Sequence, residues 1–283
     1  MATRPQSTSN RPLTSFKALL FDVYGTLIDW ETGIYDALLP LFQRSLSSSD
    51  ALSREYILAR YTAVEKSLQE AHPSMLYSDL LAESYRVLAR DLSQSHSIDT
   101  DIEEQAKSFG QSIPSWPVFP DTVSALHTLS KTYKLVVLSN VDRQSFSGTL
   151  KALSYTDPSS GQLRSPFTLI LTAQDTGAYK PSPLGFERAL KEIAGLVELG
   201  EGEDVKEYVL VTAQSLYHDH GPANKIGLHG GAWIDREGAI MGIGKDLEEG
   251  TRWGWRFSTL GEMADEVERE KQTEKETQTG LTG

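Results

Sequence analysis

The chain contains no cysteine among its 283 residues, which excludes disulfides, thiolate metal sites and a cysteine nucleophile. Long apolar runs are also missing: nothing approaches the roughly 20 apolar residues that a membrane-crossing helix needs. Basic residues are in the minority, 27 against 39 acidic, for a formal net charge of −12. Such a surface repels phosphate backbones and anionic lipid, so neither nucleic acid nor a membrane is an expected partner. A small anionic substrate is compatible only where local cations outweigh this field. The first 15 residues are polar and lack the apolar core of a secretory signal. Arg4 and Arg11 among serines and threonines faintly suggest a transit peptide, but the amphipathic face is absent. The last three residues do not form a peroxisomal tripeptide. The expected location is cytoplasmic.

What is present is enough for a sizeable core: 39% of residues are hydrophobic and 9% aromatic. Short apolar runs alternate with helical patterns. Strands are expected at Phe16 to Phe21, Lys134 to Leu138, Phe167 to Leu171, Glu207 to Thr212, Gly231 to Ile234 and Gly254 to Phe257. Helices are expected after Pro120-Asp121 and from Pro183 to Ile193. This alternation predicts an α/β fold with a parallel, doubly wound sheet. Trp30 to Trp116 breaks the rhythm and reads as consecutive helices, an insertion directly after the first strand. The expected organisation is a disordered N-terminus over 1–15, a core over 16–30 and 117–263, a helical cap over 31–116 and a disordered charged tail over 264–283.

The segment Ala18-Leu19-Leu20-Phe21-Asp22-Val23-Tyr24-Gly25-Thr26-Leu27 is the most telling. An apolar run ends in one carboxylate before a glycine turn, which places Asp22 at the sheet edge where open α/β folds hold ligands. Three other segments follow at predicted strand ends: Ser139-Asn140, Lys180-Pro181, and Gln214-Ser215-Leu216-Tyr217-His218-Asp219. A carboxylate becomes a useful nucleophile only when it is desolvated, positioned and held ionised. Lys180 close to Asp22 would favour the ionised form, with Ser139 and Thr26 orienting its oxygens. His218-Asp219-His220 does not suit zinc, because histidines two apart do not meet on a helix. Gly230-Gly231 forms no nucleotide-binding pattern, and the acidic run from Glu198 to Glu207 reads as a solvated loop.

Four such segments in this order resemble the haloacid dehalogenase (HAD) superfamily of aspartate-nucleophile hydrolases, from about Phe16 to Leu260. The resemblance implies a Rossmann-like parallel-sheet core with a helical cap, and Asp22, Lys180, Asp219, Ser139 and Thr26 as catalytic residues. Phosphatases of this superfamily carry a second aspartate two residues after the nucleophile, which protonates the departing alkoxide. Here that position is Tyr24, and Asp-Xaa-Tyr-Gly-Thr resembles the (S)-2-haloacid dehalogenase branch, whose halide leaving group needs no proton. The resemblance implies hydrolysis of a short 2-haloalkanoic acid to a 2-hydroxy acid through an aspartyl ester. It also implies substrate contacts from Tyr24, Asn140, Ser215, His218 and a cap arginine. Arg60 fits the Arg-Xaa4-Glu spacing with Glu65 best, ahead of Arg44 and Arg54.

No cofactor and no metal are expected, the alternative being magnesium between Asp22 and Asp219. Related enzymes are often dimers, so a homodimer is among the expectations. The chain departs from the family pattern at Phe186, where a tyrosine is usual, at Leu216 in place of an asparagine, and at His218 in place of a tryptophan. Three alternatives stay open: a magnesium-dependent phosphatase of a small metabolite, a hydrolase of a non-halogenated metabolite, and a non-catalytic interaction protein.

Overall fold

A computed structural model describes residues 6–7, 9, 11–46, 50–93, 100–228, 230–241 and 251–280. The strands are β1 (Gln6–Ser7), β2 (Ala18–Phe21), β3 (Lys134–Ser139), β4 (Tyr155–Thr156), β5 (Leu163–Arg164), β6 (Leu169–Thr172), β7 (Val209–Ala213), β8 (Gly231–Ile234) and β9 (Trp253–Phe257). The helices are α1 (Trp30–Ser45), α2 (Arg54–Ala71), α3 (Tyr77–Leu92), α4 (Thr100–Gly110), α5 (Thr122–Leu129), α6 (Arg143–Leu153), α7 (Ala173–Thr176), α8 (Pro183–Ala194), α9 (Gly221–Lys225) and α10 (Leu260–Gly280).

Seven strands form one sheet in the order β1-β9-β8-β7-β2-β3-β6, and β4 and β5 make a separate ribbon. All pairings in the large sheet are parallel except β1 against β9. β2 lies centrally, with Phe21 level with Val137 of β3 and Thr212 of β7. Successive residues alternate between the faces: Leu19, Phe21, Leu135, Val137 and Leu210 pack on one side, and Ala18, Leu20, Val136, Leu138, Val209 and Val211 on the other. Burial on both faces explains why these strands are uninterrupted apolar runs. The α/β Rossmann-like core expected from the sequence is the observed fold.

Helices α1 to α4 all lie between β2 and β3 in the chain. Asp29 starts the first of them, its carboxylate accepting from the Thr32 backbone N–H at 3.0 Å and the Thr32 hydroxyl at 2.6 Å. The insertion also meets the carboxyl edge of the sheet near its middle. There Asp142, just past β3, accepts from the Ser78 backbone N–H at 3.2 Å, and the Tyr179 hydroxyl donates to the Met75 carbonyl. Among the described residues no helix is long and apolar enough to cross a membrane.

Both ends correct the expectation of disorder. The tail from 264 onward is not disordered: α10 runs through Gly280, and residues 281–283 lie outside the described residues. Its first turns bury Leu260, Met263, Ala264 and Val267, a three-and-four spacing that docks one face on the core. At the other end, Gln6–Ser7 pairs with β9, and Leu13–Ser15 forms a 3-10 turn with Leu13 buried. Thr14 then donates from its backbone N–H to Glu270 at 3.0 Å, tying the two termini together. Residues 1–5, 8 and 10 lie outside the described residues.

Candidate active site

Three buried charges meet where four chain segments leave the sheet. Lys180 Nζ donates to Asp22 Oδ1 at 2.7 Å and to Asp219 Oδ1 at 2.8 Å, and all three residues are buried. Two carboxylates and one ammonium leave the cluster one negative charge in excess. Burial pushes the Asp219 carboxyl up to about 7, with Lys180 opposing the shift and the Asp22 charge adding to it. Burial alone would lower the Lys180 ammonium, but Asp219 and then Asp22 outweigh it and hold the amine above its ordinary value.

Thr26 fixes the other side of Asp22. Its Oγ1 donates to Asp22 Oδ2 at 2.7 Å and accepts the Gln214 backbone N–H at 2.9 Å. The hydroxyl has one proton, and the N–H occupies an acceptor site, so that proton points at Asp22. The turn between them needs Gly25, whose φ of +100° is a conformation that side-chain-bearing residues rarely adopt. Sequence reasoning missed Arg236, which braces this turn. Its Nε and Nη2 donate to the Thr26 carbonyl at 3.0 and 2.8 Å, while Nη1 pairs with Asp121 at 2.6 Å.

The remaining expected residues divide. Ser139 Oγ and Asp219 Oδ2 are buried with no hydrogen-bond partner, two polar atoms held at the strand ends. Asn140 clasps the Lys180 main chain, accepting its N–H at 2.7 Å and donating to its carbonyl at 3.2 Å. Ser215 caps the following π-helical turn, its hydroxyl accepting from the His218 N–H at 3.1 Å and lying 3.2 Å from His218 Nδ1. His218 is partly buried, and burial followed by the Lys180 charge lowers its imidazole to about 4, so the ring is neutral near pH 7. Tyr24 lies 2.9 Å from Thr149 Oγ1 through its hydroxyl and packs edge-on to Trp116. Burial raises its phenol well above the ordinary value.

Arg60 is not brought to this cluster, contrary to expectation. On α2 the inward side carries Ile57, Leu58 and Tyr61, and Arg60 falls outside it, pairing with Asp91 at 3.1 Å where both are exposed. Arg54, in the first turn of α2, packs instead against the start of α1. It donates to Thr32 Oγ1 at 2.9 Å and makes looser ion pairs with Asp29 and Glu31 at 3.5 and 3.6 Å. With Gly25, Trp30 and Gln214 it lines a cavity of about 50 Å³. Arg44 turns away, to Tyr85 and Gln105.

A hard divalent cation requires several oxygen ligands. Both Asp22 oxygens are engaged, Asp219 offers only Oδ2, and the Gln214 amide donates to the Met241 carbonyl at 3.0 Å. Among the described residues no group of three or more His, Asp or Glu side chains could hold a metal. A magnesium ion between Asp22 and Asp219 would have to displace the Lys180 ammonium from both carboxylates.

A parallel α/β sheet with a helical insertion after its first core strand, and a buried Asp–Lys–Asp cluster at the strand ends, defines a class of hydrolase. Residues 16–206, more than half of the chain, match the haloacid dehalogenase-like hydrolase family. The chain belongs to that family. Comparison with curated protein sequences gives no significant match. Solved structures share the fold. The L-2-haloacid dehalogenase of Xanthobacter autotrophicus is 18% identical at a TM-score of 0.62, over 89% of this chain and 98% of that one. The HAD-hydrolase YfnB of Bacillus subtilis, bound to magnesium, is 18% identical at 0.61, over 89% and 99%. A HAD phosphatase of Thermococcus onnurineus is 21% identical at 0.51, over 88% and 96%. At such identities the likeness carries the fold and not the substrate.

Proposed function

We propose that the chain is a hydrolytic dehalogenase of 2-halo acids with Asp22 as the nucleophile. The observation that carries this reading is that no second aspartate stands two residues after Asp22. Two residues after Asp22 stands Tyr24, whose hydroxyl is engaged by Thr149 and whose phenol holds its proton tightly. His218 is neutral and has no proton to spare near pH 7. A halide departs as a stable anion and needs no such donor, whereas an alkoxide does.

An Asp22 oxygen attacks the halogen-bearing carbon from behind. The C–O bond forms as the C–halogen bond breaks, and the halide leaves with the bonding pair. Lys180 and Thr26 hold the carboxylate in line, which supplies positioning rather than new chemistry. Water then attacks the aspartyl carbonyl, and Asp219 takes its proton through the unpartnered Oδ2. A carboxylate with a value of about 7 suits that base role at neutral pH. The acyl C–O bond breaks, the proton held by Asp219 passes to the departing oxygen, and the 2-hydroxy acid leaves with an oxygen from Asp22; the water oxygen restores the carboxyl group, whose proton goes to solvent. Ser139 Oγ is available to the substrate carboxylate, and Arg54 becomes so by giving up Thr32, Asp29 and Glu31.

The test is halide release from (S)- and (R)-2-chloropropionate, in EDTA and in magnesium, for the wild type and for Asp22→Asn. Release from one enantiomer in EDTA, abolished by the substitution, supports the reading. Arg54→Lys then raises KM by at least tenfold, and Arg60→Lys leaves it within twofold. Absence of halide together with magnesium-dependent cleavage of an aryl phosphate overturns the reading.

A further inference from the structure

Beside the charge cluster lies a second cavity, of about 200 Å³, between the start of α3 and the loops that follow β3 and α7. Its walls include Met75 and Tyr77 from the insertion and Asn140, Val141, Ala178 and Tyr179 from the core. Asn140 and Tyr179 are also the neighbours of Ser139 and Lys180 in the chain. The Asn140 clasp on the Lys180 main chain is therefore a wall shared with the reacting centre.

Most of the polar side chains around this cavity are engaged, the exposed Ser74 and Gln174 completing its lining. The Asn140 amide is engaged with Lys180, and the Tyr179 hydroxyl donates to the Met75 carbonyl. The Tyr77 hydroxyl donates to Glu65 at 2.6 Å, and the Asp142 carboxylate accepts from Ser78 and Ser145. The apolar part of the lining is a thioether, two aromatic rings, an isopropyl and a methyl, and it exceeds the polar part. The Tyr77 and Tyr179 rings stand 6.5 Å apart at 62°, an edge-on arrangement that a third ring can extend. The Glu65 carboxylate behind Tyr77 and the Asp142 carboxylate in the lining disfavour an anionic occupant. An apolar cavity of about 150 Å³ already admits benzene.

The geometry points to a subsite for an uncharged aryl arm on the substrate, so that the acid turned over is larger than a 2-halopropionate. This assignment rests on the proposed reaction for its electrophile, but the subsite is testable apart from it. Calorimetry compares 3-phenylpropionate with propionate, and 3-phenylpropanamide with propanamide. Each phenyl compound binds at least tenfold more tightly than its phenyl-free counterpart, and Ala178→Phe, which fills the cavity, removes the difference. Should that variant fail to fold, Ala178→Leu is used for the same comparison. Equal affinities, or a preference that survives both substitutions, overturn the subsite whatever the reaction proves to be.

Turnover then separates the two claims. Wild-type kcat/KM for 2-chloro-3-phenylpropionate exceeds that for 2-chloropropionate tenfold or more, and Ala178→Phe reduces the ratio to about one. Release of halide from 2-chloropropionate with no gain for the phenyl substrate defeats the subsite alone. Phenyl-dependent binding without halide from either substrate supports the subsite and defeats the dehalogenase reading.

Discussion

Gly231→Ala should damage the reacting centre without touching it. An added Cβ would lie 2.3 Å from His220 Nδ1, 2.4 Å from its Cε1 and 3.0 Å from the Val211 carbonyl oxygen. Non-bonded carbon contacts are relaxed at about 3.5–4.0 Å, so the ring must retreat by about 1 Å. It has little freedom to do so: His220 is fully buried, and its Nε2 lies 3.0 Å from the Ala213 carbonyl. Asp219 precedes it in the same turn, so the displacement is passed to the carboxylate that shares Lys180. Overpacking of this kind costs about 1–3 kcal/mol of stability. A shift of about 1 Å in a positioned group costs on the order of 10²-fold in rate. Urea denaturation and kcat/KM read the two effects. Removing the ring relieves both, so a double-mutant cycle with His220→Ala gives a favourable coupling of at least about 1 kcal/mol. Wild-type stability and activity for Gly231→Ala, or zero coupling, would refute this reasoning.

Three further outcomes are expected. Hydrolysis of the aspartyl ester, followed by single-turnover kinetics, loses about tenfold per pH unit below about 7 as Asp219 protonates, and Asp219→Asn abolishes the dependence. Lys180→Met leaves Asp22 and Asp219 buried without a counter-charge; urea titration then shows a loss of about 3–5 kcal/mol. The third concerns acid stability. His220 titrates at about 4 when folded against an ordinary 6.5, so it binds fewer protons folded than unfolded between those values. Its contribution is intact above pH 6.5 and falls by about 3 kcal/mol as pH drops towards 4. Asp219 acts in the opposite sense, binding more protons folded than unfolded from 3.8 to about 7, so stability from that source rises as pH falls. Asp219→Asn therefore steepens the acid-side loss; an unchanged slope of unfolding free energy against pH would contradict the paired assignment.

The order of Asp22, Ser139, Lys180 and Asp219 was legible because each follows a run of apolar residues, and parallel strands put all such ends on one edge. Gly231 to Ile234 matches β8 residue for residue. Arg60 was misread because the spacing of charges along α2 does not say which side faces the core; the burial of Ile57, Leu58 and Tyr61 decides that. Arg236 was invisible: it acts on the carbonyl of Thr26 from 210 positions away in the chain, and a carbonyl leaves no trace in a side-chain pattern. In α10 the charged residues masked a short apolar stripe, although Leu260, Met263, Ala264 and Val267 already had helical spacing.

The Lys180 contacts have a consequence outside catalysis. Its main chain is held by the loop after β3, and its ammonium by carboxylates at the ends of β2 and β7. Sliding any one of these strands by a residue would pull apart opposite charges that lack water to replace their partners. The cluster therefore works as a register lock for the middle of the sheet. A descendant that had abandoned turnover would still be selected to keep Asp22, Lys180 and Asp219. Their presence therefore reports an intact sheet as well as a reacting centre.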